Sequence, residues 1–408
     1  MISGRDIVFI SSIEWDFLWQ VHQEIAFQFA AAGNRVIYIE NTGVRTPGLT
    51  DAARVASRLR RWIRSLFSRG LREVSPNIFV VSPLVAPPFG SQLSRLVNRK
   101  ILLPAVGRTA RKMRLLNPFI WTYLPTDTAV DLINLLRTSS TLVAYYCGAD
   151  FTRLMTQPEA MRHSEDRLLR TADFVFVTCA ALFDRCQKLS QNVQLVPAVV
   201  NLDQFQLNGP RSSPGELSWA RPTIGYIGGL HRFVDYALLK KLAVARPHWS
   251  FVFVGARTAD LNGLDELGNV HLVGQRPHAE LSGYIREFDV CLVPYLNTEG
   301  TATVVPMKIN EYLAMGKPVV STDLPTVCDF NDRHQVLLTA PNNAEQFVNA
   351  IEKALSLPCD AATVRSRREV AKLGDSKSLV FAIGQLIENR MKERSSKTLS
   401  EPKTAAVA

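Results

Sequence analysis

Lys308 and Glu311 have the types and spacing to hold an anion beside a pair of hydroxyls. On a helix, an interval of three puts both side chains on one face. The ammonium can neutralise a diphosphate, and the carboxylate can accept both hydroxyls of a ribose. Pro306 opens the helix that carries them, and Met307 stands beside Lys308 at its start, where free backbone N–H groups already favour negative charge. Met307 is therefore grouped with the binding residues. The same spacing also describes a solvated ion pair on an exposed helical face, so the surroundings must decide.

A second group lies upstream. The run TIGYI from Thr223 leads into Gly228 and Gly229, a strand-to-helix turn whose missing side chains let backbone N–H groups approach a phosphate; a plain tight turn is the alternative. His231 and Arg232 follow and can add charge there. Gly255, after the strand FVFV, and the loop from Gly274 to Pro277 are expected nearest a nucleotide base. A transfer to a hydroxyl that inverts configuration needs a proton acceptor. Asp150 ends LVAYYCGAD, Asp127 follows FIWTYLPTD, and Glu14 and Asp16 lie in the first strand-to-helix loop. Asp150 is the chosen base, although Asp is also a favoured helix N-cap. No metal-ligand histidine pair is present, so neither a metal nor a cofactor is expected.

These residues need a scaffold. A chain of 408 residues should divide into two domains, and 47% apolar with 21% charged residues describes a globular chain. Short β-branched and aromatic runs recur at Asp6–Ser11, Arg35–Ile39, Asn77–Val81, Phe119–Tyr123, Leu142–Tyr146 and Asp173–Thr178, with helical patterns between most of them. That order implies a parallel sheet with crossover helices. A polar passage from Asn208 to Gly215 reads as a linker, after which strands restart at Thr223, Ser250, Val270, Asp289, Pro318 and Gln335. The expectation is α/β: two Rossmann-like domains facing across a cleft, residues 1–207 and 216–392. Ligands belong at the carboxyl ends of the strands. Residues 393–408 have few large apolar side chains and are expected to be disordered.

The six cysteines form no CxxC pair and read as reduced thiols of a cytosolic protein. No apolar run reaches the roughly 18 residues that span a bilayer. The net charge of +10 is concentrated between Arg45 and Arg114, opposed there only by Asp51 and Glu73. Within it Leu59, Trp62, Ile63 and Leu66 fall at helical spacing, while Arg58, Arg61 and Arg64 line other faces. This pattern predicts an interfacial helix on an anionic membrane surface, with Arg58, Arg61, Trp62 and Arg64 as contacts and the protein held at the inner face. A helix packed on its own sheet and a nucleic-acid face are the alternatives, and no nucleic-acid motif supports the latter.

The stretch PMKINEYLAMGKPVVST, from Pro306 to Thr322, resembles the donor half of GT-B glycosyltransferases, in which a helix with a ribose-binding glutamate precedes an A-x-G-x-P-V-V strand. Glu311 and Ala314 to Val320 match. The PxKxxEY form is similar to that of bacterial envelope and exopolysaccharide transferases, including those like xanthan glucuronosyltransferase. Many relatives carry a further glutamate at the place held here by Thr303, which is grouped with the donor residues. YYCGADF resembles a YDCxDD stretch, with only Asp150 matching its aspartates. The resemblance implies transfer of a sugar from a nucleoside diphosphate sugar to a lipid-linked or saccharide acceptor. A sugar-nucleotide epimerase and a non-catalytic membrane-associated scaffold are the rival readings.

Overall fold

The computed structural model describes residues 2–40, 71–83, 85–86, 91–154, 158–207 and 219–400. Arg58, Arg61, Trp62 and Arg64 lie outside the described residues. The first half holds β1 (Asp6–Ile10), α1 (Val21–Ala31), β2 (Arg35–Ile39), β3 (Leu71–Ser75), β4 (Ile78–Val81), α2 (Gln92–Lys112), β5 (Phe119–Thr122) and α3 (Asp127–Leu136). It continues with β6 (Val143–Cys147), α4 (Phe151–Leu154), α5 (Pro158–Thr171), β7 (Phe174–Val177), α6 (Ala180–Cys186) and β8 (Val193–Leu195). These strands form one sheet in the order β3-β4-β2-β1-β5-β6-β7-β8, parallel except for β3 against β4. The sequence LREVS of β3 is partly charged and no more than half-buried, so it carries no clear apolar alternation.

The second half builds a six-stranded parallel sheet. Its elements are β9 (Thr223–Ile227), α7 (Tyr236–Ala245), β10 (Ser250–Val254), β11 (Val270–Gly274), α8 (Leu281–Glu287), β12 (Val290–Val293), α9 (Lys308–Ala314), β13 (Val319–Thr322), α10 (Pro325–His334) and β14 (Leu338–Ala340). Helices α11 (Ala344–Ser356), α12 (Ala361–Lys372) and α13 (Ser376–Ser400) complete the chain. The strand order is β11-β10-β9-β12-β13-β14. β9, β10 and β12 are buried at every position, as apolar runs covered by helices on both faces require.

Each sheet has one place where the winding reverses: between β1 and β5 in the first, between β9 and β12 in the second. Loops diverge there and leave a crevice at the carboxyl ends of the strands. The two crevices are the natural places for ligands.

The last helix departs from expectation. Val380, Ile383 and Ile387 of α13 are buried in the apolar cluster that covers one face of the first sheet, so residues 376–400 return to the first half instead of closing the second. The helix also runs through residues 393–400, where disorder was expected. Arg394 explains the extension: its guanidinium bonds the Thr141 carbonyl at 3.0 Å and pairs with Asp173, polar anchors that an apolar pattern does not reveal. Among the described residues no helix is long and apolar enough to cross a membrane.

Candidate functional site

The second crevice is built from glycines and tyrosines. Gly228 has φ +118°, a conformation that side-chain-bearing residues rarely adopt, and a Cβ there would lie 3.0 Å from Lys308 Nζ. A Cβ on Gly255 would come within 1.9 Å of the Gly228 carbonyl oxygen, so Gly255 lets the neighbouring backbone approach. Gly255 thereby supports the Gly228 turn, whatever else lies near it. The Gly228 and Leu230 amides donate to Val254 and Ala256, both at 2.8 Å. The Gly229 amide between them meets no acceptor among the described residues.

Lys308 lies beneath this turn. It is 9% exposed, and its ammonium donates to the Tyr226 hydroxyl at 3.0 Å and the Tyr295 hydroxyl at 2.5 Å. The same nitrogen lies 4.3 Å and 4.7 Å from the centroids of those two rings. Tyr226 donates in turn to the Gly229 carbonyl at 2.9 Å, which pins the turn, and burial pushes its phenol well above the usual range, so it stays neutral. Among the described residues no carboxylate pairs with Lys308. Cation–π contacts contribute about 0.5–2 kcal/mol each, against a desolvation cost of several kcal/mol for an ammonium taken out of water. An anion placed beside the ammonium would offset that cost. Helix α9 has only seven residues, so the positive charge resides chiefly in this ammonium and little in the helix terminus.

Glu311 follows one turn later on α9 and is 8% exposed. His278 Nε2 lies 3.4 Å from its Oε1, and with that nitrogen protonated the imidazole donates to the carboxylate. The His278 ring stacks against Trp19 of the first half, with centroids 5.6 Å apart and planes 19° from parallel. Phe205 meets the same imidazole edge-on at 5.5 Å, and the Gln204 amide donates to the His278 carbonyl.

The sequence around Glu311 is explained by how α9 is fixed. Tyr312 accepts the Ile227 amide at 2.8 Å and donates to the Leu292 carbonyl at 3.4 Å, fastening the helix to both strands that flank the crevice. Gly316, at φ +67°, ends the helix, and the Lys317 amide returns to the Tyr312 carbonyl at 3.0 Å. A Cβ on Gly316 would sit 2.7 Å from Val364 of α12, so the glycine serves close packing as well. Met307 is partly buried at the N-cap of α9, and Pro277 is exposed at the start of a short 3-10 turn that carries His278. Arg232 is also exposed, its guanidinium 4.8 Å from the centroid of the Phe233 ring.

Across the cleft, Asp150 and Thr303 meet: the Asp150 amide donates to Thr303 Oγ1 at 2.9 Å. Thr303 is thus a contact between the halves. The Asp150 carboxylate is already engaged, by the Thr152 amide and hydroxyl at 3.1 and 2.6 Å and by Arg153 and Arg185 at 3.3 and 3.5 Å. The expected base therefore also caps the helix that follows it and pairs with two arginines. Asp127 bonds the Thr128 amide at 2.7 Å and faces Arg95 at 3.8 Å, and Asp16 pairs with Arg72 at 2.7 Å.

The first crevice holds a different set of side chains. His22, on the first turn of α1, lies with Nδ1 2.7 Å from Ser11 Oγ and its ring 3.6 Å from that of Tyr123. Burial pushes its pKa down to about 3, so the imidazole is neutral near pH 7. Ser11 also bonds the Tyr38 hydroxyl at 2.7 Å, and Tyr146 packs 5.3 Å from Tyr123.

Comparison with known proteins matches residues 221–356 to the family "Glycosyl transferases group 1". Over 228 residues the chain is 27% identical to the putative teichuronic acid biosynthesis glycosyltransferase TuaH of Bacillus subtilis, covering 53% of this chain and 57% of TuaH. The chain spans about half the length of the curated relatives it matches. Sucrose-phosphate synthase of Thermosynechococcus elongatus superposes with a TM-score of 0.69 at 18% identity, covering 95% of this chain and all of that one. HepE of Anabaena, solved with UDP and glucose, gives 0.65 at 13% identity over 95% of this chain and 99% of its own. The chain has the GT-B fold, and its second half carries a segment similar to the group 1 glycosyl transferases.

Within this GT-B frame the structure brings Gly228, Gly229, Lys308 and Glu311 to the second crevice, with Gly255 behind them. Reading the sequence alone missed Tyr226, Tyr295, His278 and Trp19. Tyrosines at buried strand ends look like core residues, and only their position beside the winding reversal between β9 and β12 distinguishes them. Trp19 sits in a loop with no periodicity, and its partner His278 is 259 positions away, a pairing no local pattern discloses.

Proposed function

We propose that this chain transfers a glycosyl group from a nucleoside diphosphate sugar to an acceptor hydroxyl during assembly of a cell-envelope or extracellular polysaccharide. The observation that carries the reading is the buried Lys308 ammonium, without a carboxylate partner among the described residues, beneath the Gly228–Gly229 turn and one helical turn from Glu311. The ammonium and the Gly229 amide take the diphosphate oxygens, and Glu311 accepts the ribose hydroxyls. As the glycosidic bond breaks, negative charge grows on the departing diphosphate, where a fixed ammonium in a water-poor crevice is most effective. In this reading the charge is met by Lys308 without a metal. The polysaccharide assignment is supported by the likeness to TuaH, and the donor class by the group 1 match of residues 221–356.

The acceptor is read as lipid-linked or saccharide and presented at an anionic membrane. Helix α2 supports this: Leu93, Leu96 and Ile101 are exposed on it together with Lys100, Arg108, Arg111 and Lys112. Each basic residue near an anionic leaflet contributes about 1 kcal/mol, and three exposed aliphatic side chains add apolar insertion. Flotation with phosphatidylglycerol vesicles should carry the wild type and fail when Lys100, Arg108, Arg111 and Lys112 are changed to glutamine together.

The decisive experiment incubates the protein with labelled nucleotide sugars and bacterial membrane lipid extract. Label appearing in lipid or polymer supports transfer. An isomerised nucleotide sugar would replace the reading with an epimerase, and binding without turnover would replace it with a scaffold.

A further inference from the structure

The loop between β1 and α1 reaches across the cleft to the donor crevice. Leu18 Cδ1 lies 2.9 Å from the position a Cβ on Gly229 would occupy, and Trp19 stacks on His278, which bonds Glu311. Trp19 is itself held, since its indole N–H donates to Glu24 Oε2 at 2.9 Å. The other oxygen of Glu24 accepts from Gln28 at 2.9 Å and from Ser376, the first residue of α13, at 2.8 Å. A continuous set of contacts thus runs from the start of α13 through Glu24, Trp19 and His278 to the carboxylate expected to hold the ribose.

We infer that Trp19 and His278 are positioning residues for Glu311, so that recognition of the donor's ribose in the second half depends on a side chain supplied by the first. The inference rests on the donor site proposed above and deepens it. A carboxylate accepts two vicinal hydroxyls only if both its oxygens are aimed, and a single rotatable side chain on a two-turn helix needs a partner to hold its torsion. His278 supplies that partner at one oxygen. Its own ring is fixed by Trp19 on one face and by the edge of Phe205. The diphosphate end is fixed separately, by Lys308 and its two tyrosines, and does not draw on Trp19. Loss of Trp19 should therefore degrade ribose recognition and spare phosphate recognition.

The test is calorimetric titration of the full chain with three probes: the tightest binder among UDP, GDP and ADP, its 2′,3′-dideoxy analogue, and inorganic pyrophosphate. Wild type should prefer the ribonucleotide to the dideoxy analogue. In Trp19→Ala and in His278→Ala that preference should shrink roughly two- to tenfold, the range expected for losing one aromatic pair. Pyrophosphate affinity should not change, and Trp19→Phe should restore most of the preference. An unchanged or larger preference in both alanine variants overturns the inference, as does an equal loss for all three probes, which signals general damage to the fold. Lys308→Met separates the two layers. If it abolishes binding of all three probes while Trp19→Ala leaves the preference intact, only the positioning role fails; if Lys308→Met binds like wild type, the donor site itself is misassigned and the inference falls with it.

Discussion

The two crevices share a topology and differ in charge. Both lie where a parallel sheet reverses its winding, and both are lined by tyrosines at strand ends. In the second, the tyrosines enclose an ammonium; in the first, Tyr123 stacks on a neutral imidazole bonded to a serine. The two sheets supply the same kind of crevice, and the side chains buried at each set its charge. Under the proposed function, this difference would suit a charged donor in the second half and a neutral nucleophile in the first.

The sharpest way to break that contrast is to remove the charge. Lys308→Met keeps most of the volume, so folding measured by circular dichroism should persist while kcat/KM for the donor falls about 100-fold, the scale of one lost charge-assisted contact. Gly228→Ala should come next. Its Cβ would strain a backbone at φ +118° and press on the ammonium, lowering both donor affinity, by roughly tenfold, and the melting temperature, by a few degrees. Glu311→Gln retains shape but weakens acceptance from the ribose, with an expected KM increase of about tenfold and little change in kcat.

For the neutral crevice the expected signature is in stability. With its folded pKa depressed to about 3, His22 takes up a proton in the unfolded chain before it does so in the fold. Stability from this group is therefore complete above the unfolded value of about 6.5 and is lost as pH falls toward the folded value, by at most about 1.4 kcal/mol per pH unit. Thermal melts of wild type and His22→Gln between pH 4 and 7 should converge as the solution becomes more acidic. The smallest effect belongs to Arg232, which is exposed beside Phe233; Arg232→Ala should change the donor KM about twofold or less.

Much of the scaffold was legible because it rests on local patterns. The apolar runs at Thr223 and Ser250 coincide with β9 and β10, and the Lys308–Glu311 interval places both residues on one short helix. The roles of the glycines were partly legible. Gly228 does lie against Lys308, but Gly255 is required by a backbone carbonyl 1.9 Å from its absent Cβ, a constraint that arises only when two loops pack. Asp150 has surroundings that the sequence did not disclose. Its place at the end of β6 suited a base, yet Arg153 and Arg185 converge on it from α4 and α6, and charge partners brought together by packing leave no mark in sequence spacing. The return of α13 to the first sheet was hidden for a related reason: Val380, Ile383 and Ile387 announce an apolar stripe but not which core it joins.

That return has a mechanical consequence. The backbone passes between the halves twice, once after β8 and once before α13, and the two passages bond to each other: the Val200 amide to the Gly374 carbonyl at 2.8 Å, and the Ser376 amide to the Val200 carbonyl at 2.9 Å. A body joined to another by a single cord can swivel about it, whereas two laced straps favour rocking about one axis. The paired crossings therefore restrict twisting of one half against the other more than a single crossing would.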